Sequence, residues 1–178
     1  MKKLIIMFMA LLLAAPVLAD IPSGAVSFAL FKLGNHYYNN NDVHKAEMLY
    51  LGAIKISPEF GPAYYNMGVI SYDQSQNLEA REWFLKAIEE NSDYAQAEYS
   101  LGILLFEEKQ HKEAVTHFRR AVELEPSSNR HFDLAIALVE VYRAGEEDKS
   151  LLQEALSHFE QSDNEHAKGN AEVITRLI

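Results

Sequence analysis

The sequence predicts an all-α fold built from helix pairs that stack side by side, and three observations support this. A pattern of apolar and small residues occurs three times between Ser27 and Ser128 at a period of 34 residues, without insertion or deletion. A fixed period of this length is typical of a repeat architecture. Each copy closes with a proline or a turn residue, and no segment is a convincing strand. We therefore predict that each copy is one helix pair.

The spacing of the small residues indicates how the two helices of a copy meet. Each copy has a glycine that is followed twelve residues later by an alanine. Glycine within a helix costs about 1 kcal/mol relative to alanine, and a close helix crossing is the usual compensation. We therefore expect the glycine and the alanine of each copy to lie where the helices cross. The repeated positions are Leu30, Leu33, Gly34, Tyr37, Ala46, Tyr50, Ala53 and Pro58; Tyr64, Met67, Gly68, Ala80, Phe84 and Ala87; and Leu101, Gly102, Leu105, Ala114, Phe118, Ala121 and Pro126.

The three copies, residues 27–128, follow a short linker at 20–26 that contains Pro22 and Gly24. Asp42 and Asn77 precede second helices and are expected to cap them. The predicted helix pairs are 26–40 with 43–56, 62–74 with 78–90, and 95–109 with 112–124.

The pattern weakens after the third copy. Phe132 and Val139 occupy apolar positions of a fourth copy, whereas Ile136 and Asp148 occupy the glycine and alanine positions. We predict a degenerate fourth pair over 129–162, with helices at 130–143 and 150–161 joined by an acidic loop at 146–148. The last stretch, 163–178, is predicted to be a capping helix, because terminal units of a stacked array need a different outer face. Its apolar face contains Ala167, Ala171, Ile174 and Ile178.

The order of large residue, Leu-Gly, aromatic, Ala, aromatic, Ala and Pro resembles the tetratricopeptide repeat (TPR) family, whose unit is also about 34 residues long. The resemblance covers residues 27–161 and implies a right-handed superhelix whose first helices line a concave groove. In that family the fifth, ninth and twelfth positions of each unit usually face the ligand. Those positions here, with the neighbouring Asn66, form a predicted partner-binding site of Phe31, Asn35, Tyr38, Tyr65, Asn66, Val69, Tyr72, Tyr99, Ile103 and Phe106.

One subset of the family grips a C-terminal carboxylate with basic residues and two asparagines. Asn35 and Asn66 match the asparagines, but Phe31, Gln96 and Ser100 occupy the basic positions. We therefore do not expect this chain to bind the C-terminal carboxylate of a partner in that way. The alternative for the aromatic residues of this predicted site is that they pack internally, or that a terminal segment of the chain fills the groove.

The N-terminus has the three-part form of a secretory signal peptide. Lys2 and Lys3 precede an uncharged apolar run from Leu4 to Ala15, and cleavage is predicted after Ala19. An uncleaved anchor is the alternative, but the run is shorter than the roughly 20 residues that span a bilayer. We expect a periplasmic or secreted protein with no membrane span after cleavage, and the short leader favours a bacterial periplasm.

Composition and charge exclude several classes of function. The net charge of −10 disfavours nucleic acid as a partner, because phosphate backbones are anionic. The absence of cysteine excludes disulfides and thiolate metal sites. His111 and His117 are six residues apart and so lie on different helix faces, and the glutamates at 79, 82, 89, 90, 107 and 108 are expected on solvated faces. We predict no catalytic residues, no metal and no cofactor.

The sequence therefore predicts a binding function: an exported adaptor or scaffold that holds a segment or subunit of a cell-envelope protein complex in its aromatic groove. Two alternatives remain. The chain could associate with itself as a structural protein, or it could be a non-catalytic accessory subunit that presents substrate to an envelope enzyme.

Overall fold

A computed structural model describes residues 22–145 and 148–178. Within these ranges the chain is all-α, without strands. The predicted leader and two residues of the acidic loop lie outside the described residues. The helices are α1 Ser23–Asn39, α2 Val43–Ile56, α3 Gly61–Asp73, α4 Asn77–Glu90, α5 Ala95–Glu107, α6 His111–Leu124, α7 Ser128–Arg143, α8 Lys149–Glu160 and α9 Ala167–Thr175.

The helices pair in chain order, α1 with α2, α3 with α4, α5 with α6 and α7 with α8, and each pair packs against the next. The predicted bounds of the eight paired helices agree within three residues, and α1 begins at Ser23, inside the segment expected to be a linker. The capping helix is shorter than predicted, Ala167–Thr175 rather than 163–178. The backbone N–H of Ala25 donates to the Pro22 carbonyl at 2.9 Å, so the helix begins directly after this proline and not after the linker.

The turns within the first three helix pairs share the same backbone conformation. Asn41, Ser75 and Lys109, again 34 residues apart, have φ values of 62°, 61° and 63°. None of them is β-branched, so the left-handed conformation is tolerated without glycine. Asp42 caps α2 as predicted, since its side chain accepts from the Lys45 N–H. The predicted cap at Asn77 is wrong, because Asn77 is the first residue of α4 and this helix start has no side-chain capping bond.

The glycines make room for an aromatic ring on the second helix. A Cβ added to Gly34 would lie 2.5 Å from the Tyr50 ring, and one added to Gly102 would lie 2.7 Å from Phe118. The closest neighbour of each glycine on the second helix is therefore the ring sixteen residues later, which the sequence analysis did not predict. Ala46, Ala80 and Ala114 are fully buried, but the tight contact of each glycine is with the ring.

Stacking of the units explains which apolar residues stay exposed. Met67 and Leu101 are buried where their helices meet the preceding unit, whereas the equivalent Leu33 is 45% exposed. No described unit precedes α1, so this face lacks the neighbour that covers it in the later units. Trp83 packs on Tyr64 of its own unit, 6.0 Å between ring centroids, and against the apolar cluster that joins the first and second units.

The fourth pair has a register different from the predicted one. Its first helix repeats the burial of α5 at an offset of 33 residues, so that Glu98, Leu101, Gly102, Leu104 and Leu105 correspond to His131, Leu134, Ala135, Ala137 and Leu138. The prediction that Ile136 and Asp148 hold the glycine and alanine positions is therefore wrong. Ala135 and Ala155 hold them, and Asp148 instead caps α8 by accepting from the Ser150 N–H at 2.9 Å.

Ion pairs join neighbouring units on the second-helix side. Arg119 donates two hydrogen bonds of 2.7 Å to Glu154, and Arg81 pairs with Glu108. The expectation of a solvated face was therefore wrong for Glu108. Because these side chains stay partly exposed, each pair contributes no more than about 1 kcal/mol. Among the described residues, no helix combines the length and apolarity that a bilayer crossing requires.

Candidate functional site

All ten predicted site residues lie on the first helices α1, α3 and α5, and all ten are half-buried. The ring at the fifth position of each unit rests on the aromatic ring of its own second helix. The centroid distances are 5.9 Å for Phe31 and Tyr50, 5.9 Å for Tyr65 and Phe84, 5.7 Å for Tyr99 and Phe118, and 5.6 Å for Phe132 and Phe159. One side of each ring therefore belongs to the core, and the other side borders the surface of the first helices.

A second row of contacts links consecutive first helices through tyrosine hydroxyls. Tyr38 donates to Asp73 at 2.6 Å, Tyr72 donates to Glu107 at 2.7 Å, and Tyr99 donates to Asp133. Sequence reasoning did not find these pairs. It placed Glu107 on a solvated face, and Glu107 is exposed although it accepts the Tyr72 hydroxyl. The spacing of 34 or 35 residues between donor and acceptor was the available signal.

The electrostatics of these pairs follow from a hydroxyl beside a carboxylate. The hydrogen bond to Asp73 and partial burial raise the pKa of Tyr38 to about 12. Burial and the bond to Glu107 raise the pKa of Tyr72 to about 12. Burial raises the pKa of the Asp133 carboxyl, and the bond from Tyr99 offsets this only in part. The tyrosines therefore stay protonated as donors at neutral pH.

The two asparagines form one hydrogen-bonded group. The Oδ1 of Asn35 accepts from the Tyr50 hydroxyl at 2.8 Å and from the Nδ2 of Asn66 at 2.7 Å. This oxygen is thus engaged inside the fold and ties α1, α2 and α3 together. The groups that remain to meet a partner backbone are the Nδ2 of Asn35 and the Oδ1 of Asn66.

Two adjoining cavities open along the first helices. One, of about 210 Å³, is lined by Tyr65, Val69, Tyr72, Phe84, Ser100 and Ile103. The other, of about 350 Å³, is lined by Ile103, Phe106, Glu107, Phe118, Asp133 and Ile136. Ile103 borders both, and each cavity has a second-helix ring among its lining residues. We call these two cavities and their lining residues the groove.

A third cavity, of about 450 Å³, lies between α7 and α9 and was not anticipated from the sequence. Its lining includes Ile136, Val139, Phe159, Val173 and Leu177. The predicted apolar face of the capping helix is confirmed for Ala167 and Ile174, which are buried, but not for Ile178, which is 42% exposed. This cavity could not be predicted because the register assumed for the fourth pair was different: it put Ile136 at the glycine position and Val139 at an apolar position of the repeat.

The histidines make pairwise contacts. The Nδ1 of His117 lies 2.7 Å from the Oε2 of Glu98, and the Nδ1 atoms of His131 and His158 are 2.9 Å apart. The described residues contain no group of three or more His, Asp or Glu side chains that could hold a metal ion.

The sequence matches two family models, both described as tetratricopeptide repeat. One covers residues 31–95 and the other covers residues 95–128. Together they span the three copies that the 34-residue period defines. No curated protein matches the chain.

Three solved structures show the fold. YrrB, described as a TPR protein with an unusual peptide-binding site, is 26% identical, with a TM-score of 0.69 over 83% of this chain and 75% of YrrB. MamA is 21% identical, with a TM-score of 0.63 over 91% of this chain and 86% of MamA. The N-terminal domain of stress-induced protein-1 from C. elegans is 20% identical, with a TM-score of 0.59 over 66% of this chain and 98% of that domain. The predicted all-α superhelix is confirmed.

Proposed function

Because the chain is a tetratricopeptide repeat protein, we propose that it is an exported adaptor or scaffold that binds a segment or subunit of a cell-envelope protein complex in the groove. Repeat proteins of this family are interaction modules, which is the general function that the match supports. The envelope setting and the position of the site are specific to the proposal. In it the chain performs no chemistry of its own.

The observation that carries the proposal is the pair of adjoining cavities on either side of Ile103. Their lining is largely apolar and aromatic, and Tyr65, Tyr72 and Phe106 are only half-buried. Concave apolar surface beside a few polar groups is the usual composition of a binding site. Large aromatic side chains also dominate the binding energy of many interfaces, at about 2 kcal/mol or more for each anchor.

Two further observations support the proposal. YrrB, which is 26% identical to this chain over the aligned part, is described as having an unusual peptide-binding site. The basic N-terminus and apolar run before Ala19 have the form of a secretory leader. With the leader removed, the protein would meet its partner outside the cytoplasm.

The binding test is a pull-down from envelope extract with residues 20–178. The groove variant combines Val69→Gln with Ile103→Gln, which makes both cavities polar at nearly unchanged size. The control combines Leu78→Gln with Leu85→Gln, the same kind of change at two exposed positions of α4. Both variants should first show the helicity of the parent chain. We expect a protein that the parent and the control retain and that the groove variant loses.

Equal recovery by all three proteins would reject the groove as the binding site. A mass in solution that rises with concentration, and that falls in the groove variant, would instead favour self-association, the second candidate. For the leader, N-terminal sequencing of the full-length product from the periplasmic fraction should begin at Asp20, and a product that keeps Met1 would reject cleavage after Ala19.

A further inference from the structure

Three acidic side chains stand at the junctions between units, and two of them line the groove. Asp73, Glu107 and Asp133 each stand where one first helix meets the next, and each accepts a tyrosine hydroxyl. Glu107 and Asp133 also line the larger cavity beside Phe106 and Ile136. A hydroxyl donor satisfies one carboxylate oxygen but carries no positive charge, so the negative charge of the groove remains.

Three arginines in the described part of the second and fourth units are paired with carboxylates other than these acids. Arg130 lies over the Tyr99 ring at 5.6 Å, but its guanidinium is 2.8 Å from Glu125. Arg143 is 2.9 Å from Glu140, and Arg81 is paired with Glu108. These arginines are therefore already engaged outside the row formed by Asp73, Glu107 and Asp133.

Burial makes the charge at Asp133 costly in the unbound protein. Burial raises the pKa of this carboxyl, and the hydrogen bond from the Tyr99 hydroxyl lowers it by a smaller amount. An ammonium or guanidinium group placed beside the carboxylate would stabilise its charged form. The net charge of −10 would favour approach of the same class of partner at longer range.

We propose that the groove selects a cationic peptide segment, in which lysine or arginine side chains meet Glu107 and Asp133 while neighbouring apolar side chains enter the cavities on either side of Ile103. This inference rests on the proposed function and specifies the chemistry of its partner. Apolar contacts supply most of the affinity in this arrangement, and the acids supply the selection. A partner segment of the same apolar content without basic residues is bound more weakly.

Three synthetic peptides of equal length serve as probes, with Leu and Phe at the same positions in each. The positions between them carry Lys in the first peptide, Gln in the second and Glu in the third. Binding is measured by fluorescence anisotropy with residues 20–178 at low and at physiological salt. We expect the Lys peptide to bind roughly tenfold tighter than the Gln peptide, which corresponds to one charge-assisted contact, and the Glu peptide to bind most weakly.

The variant that tests the acids combines Glu107→Gln with Asp133→Asn, which keeps acceptors for Tyr72 and Tyr99 but removes two charges. The matched control combines Glu82→Gln with Glu89→Gln on the exposed face of α4, which changes the net charge equally. We expect the groove variant to bind the Lys and Gln peptides with similar affinity, and the control to retain the preference. Ile103→Gln should weaken both peptides.

The outcomes separate the two proposals. Equal affinity for the Lys and Gln peptides in the parent protein would overturn the cationic selection but leave the groove intact as a binding site. Loss of the Lys preference in the control as well would overturn it too, because net charge would then be the cause. Tight binding of the Lys peptide that Ile103→Gln leaves unchanged would place that contact outside the groove and overturn the inference. If none of the three peptides binds, the proposed function fails together with this inference.

Discussion

The Phe84 ring lies 2.6 Å from the point that a Cβ on Gly68 would occupy. The two residues are sixteen positions apart, and the same interval separates Gly34 from Tyr50 and Gly102 from Phe118. In each of these three repeats, an aromatic ring of the second helix therefore packs directly on the glycine backbone of the first helix. This contact explains why a glycine in the middle of a helix is compatible with a stable unit, despite its cost of about 1 kcal/mol.

We expect Gly68→Ala and Gly102→Ala each to lower the free energy of unfolding by about 1–3 kcal/mol, because the new methyl group overpacks the ring. Urea unfolding followed by circular dichroism measures the change. Gly169→Ala in α9 is the control, since a Cβ there would meet nothing within 4 Å. It should be neutral or more stable by up to about 1 kcal/mol. Equal effects at all three sites would contradict the packing argument.

The hydrogen bond from Tyr99 to Asp133 joins the third unit to the fourth. Tyr99→Phe removes the donor and leaves a half-buried carboxylate without it, so stability should fall by about 1–3 kcal/mol. Tyr142→Phe is a suitable control, because Tyr142 is also half-buried and its hydroxyl makes none of the hydrogen bonds found among the described residues. Its effect should stay within about 0.5 kcal/mol. Unchanged stability of Tyr99→Phe would mean that this bond contributes little to the stacking.

Glu98 is 6% exposed at a position where the preceding units have Leu30 and Tyr64, and its partner is His117. The His117 side chain is 25% exposed, so water can solvate its imidazole when an apolar residue of similar volume replaces Glu98. We expect Glu98→Leu to unfold within about 1 kcal/mol of the parent, whereas Glu98→Ala leaves a cavity and loses about 2 kcal/mol or more. A large loss in the leucine variant would show that the fold depends on the pair itself. Thermal unfolding of both variants decides between these results.

The contact between His131 and His158 makes stability depend on pH. Burial lowers the pKa of both imidazoles. The charges of His131 and Arg119 lower the pKa of His158 further, and the Glu154 carboxylate opposes this by raising it. Groups whose folded-state pKa is lowered bind protons more readily when unfolded. The stability contributed by the neutral pair is therefore complete above the unfolded pKa of about 6.5 and decreases as the pH falls below it.

The measurement is urea unfolding at about pH 7.5 and about pH 5.5, on either side of the ordinary histidine pKa. His158→Gln removes one of the two imidazoles and should reduce the difference in stability between these conditions. The other histidines and the carboxylates contribute equally to both proteins, so the comparison isolates the pair. An identical pH dependence in the variant would refute the effect of this contact.

Sequence reasoning placed the candidate site residues on the first helices but did not predict the hydrogen bonds among them. The ten residues follow from the repeat register, and all of them lie half-buried on first helices. The bond between Asn35 and Asn66, and those from the tyrosines to Asp73, Glu107 and Asp133, could not be predicted in the same way. They depend on how far and at what angle one unit is rotated onto the next, which a one-dimensional period does not specify. Whether the groove binds a partner stays a prediction.

The sequence by itself determined the elements of this protein: the helix pairs, their 34-residue period and the weakening of the pattern after Ser128, because helix breaks and apolar spacing are local properties. Only the tertiary structure decided which residues meet. It placed aromatic rings of the second helices against the glycines, and it shifted the first helix of the fourth pair by one residue so that Ala135 takes the place of Gly102. The physical reason is close packing, which selects the register that fills the space between helices, and that selection depends on side chains far apart in the chain.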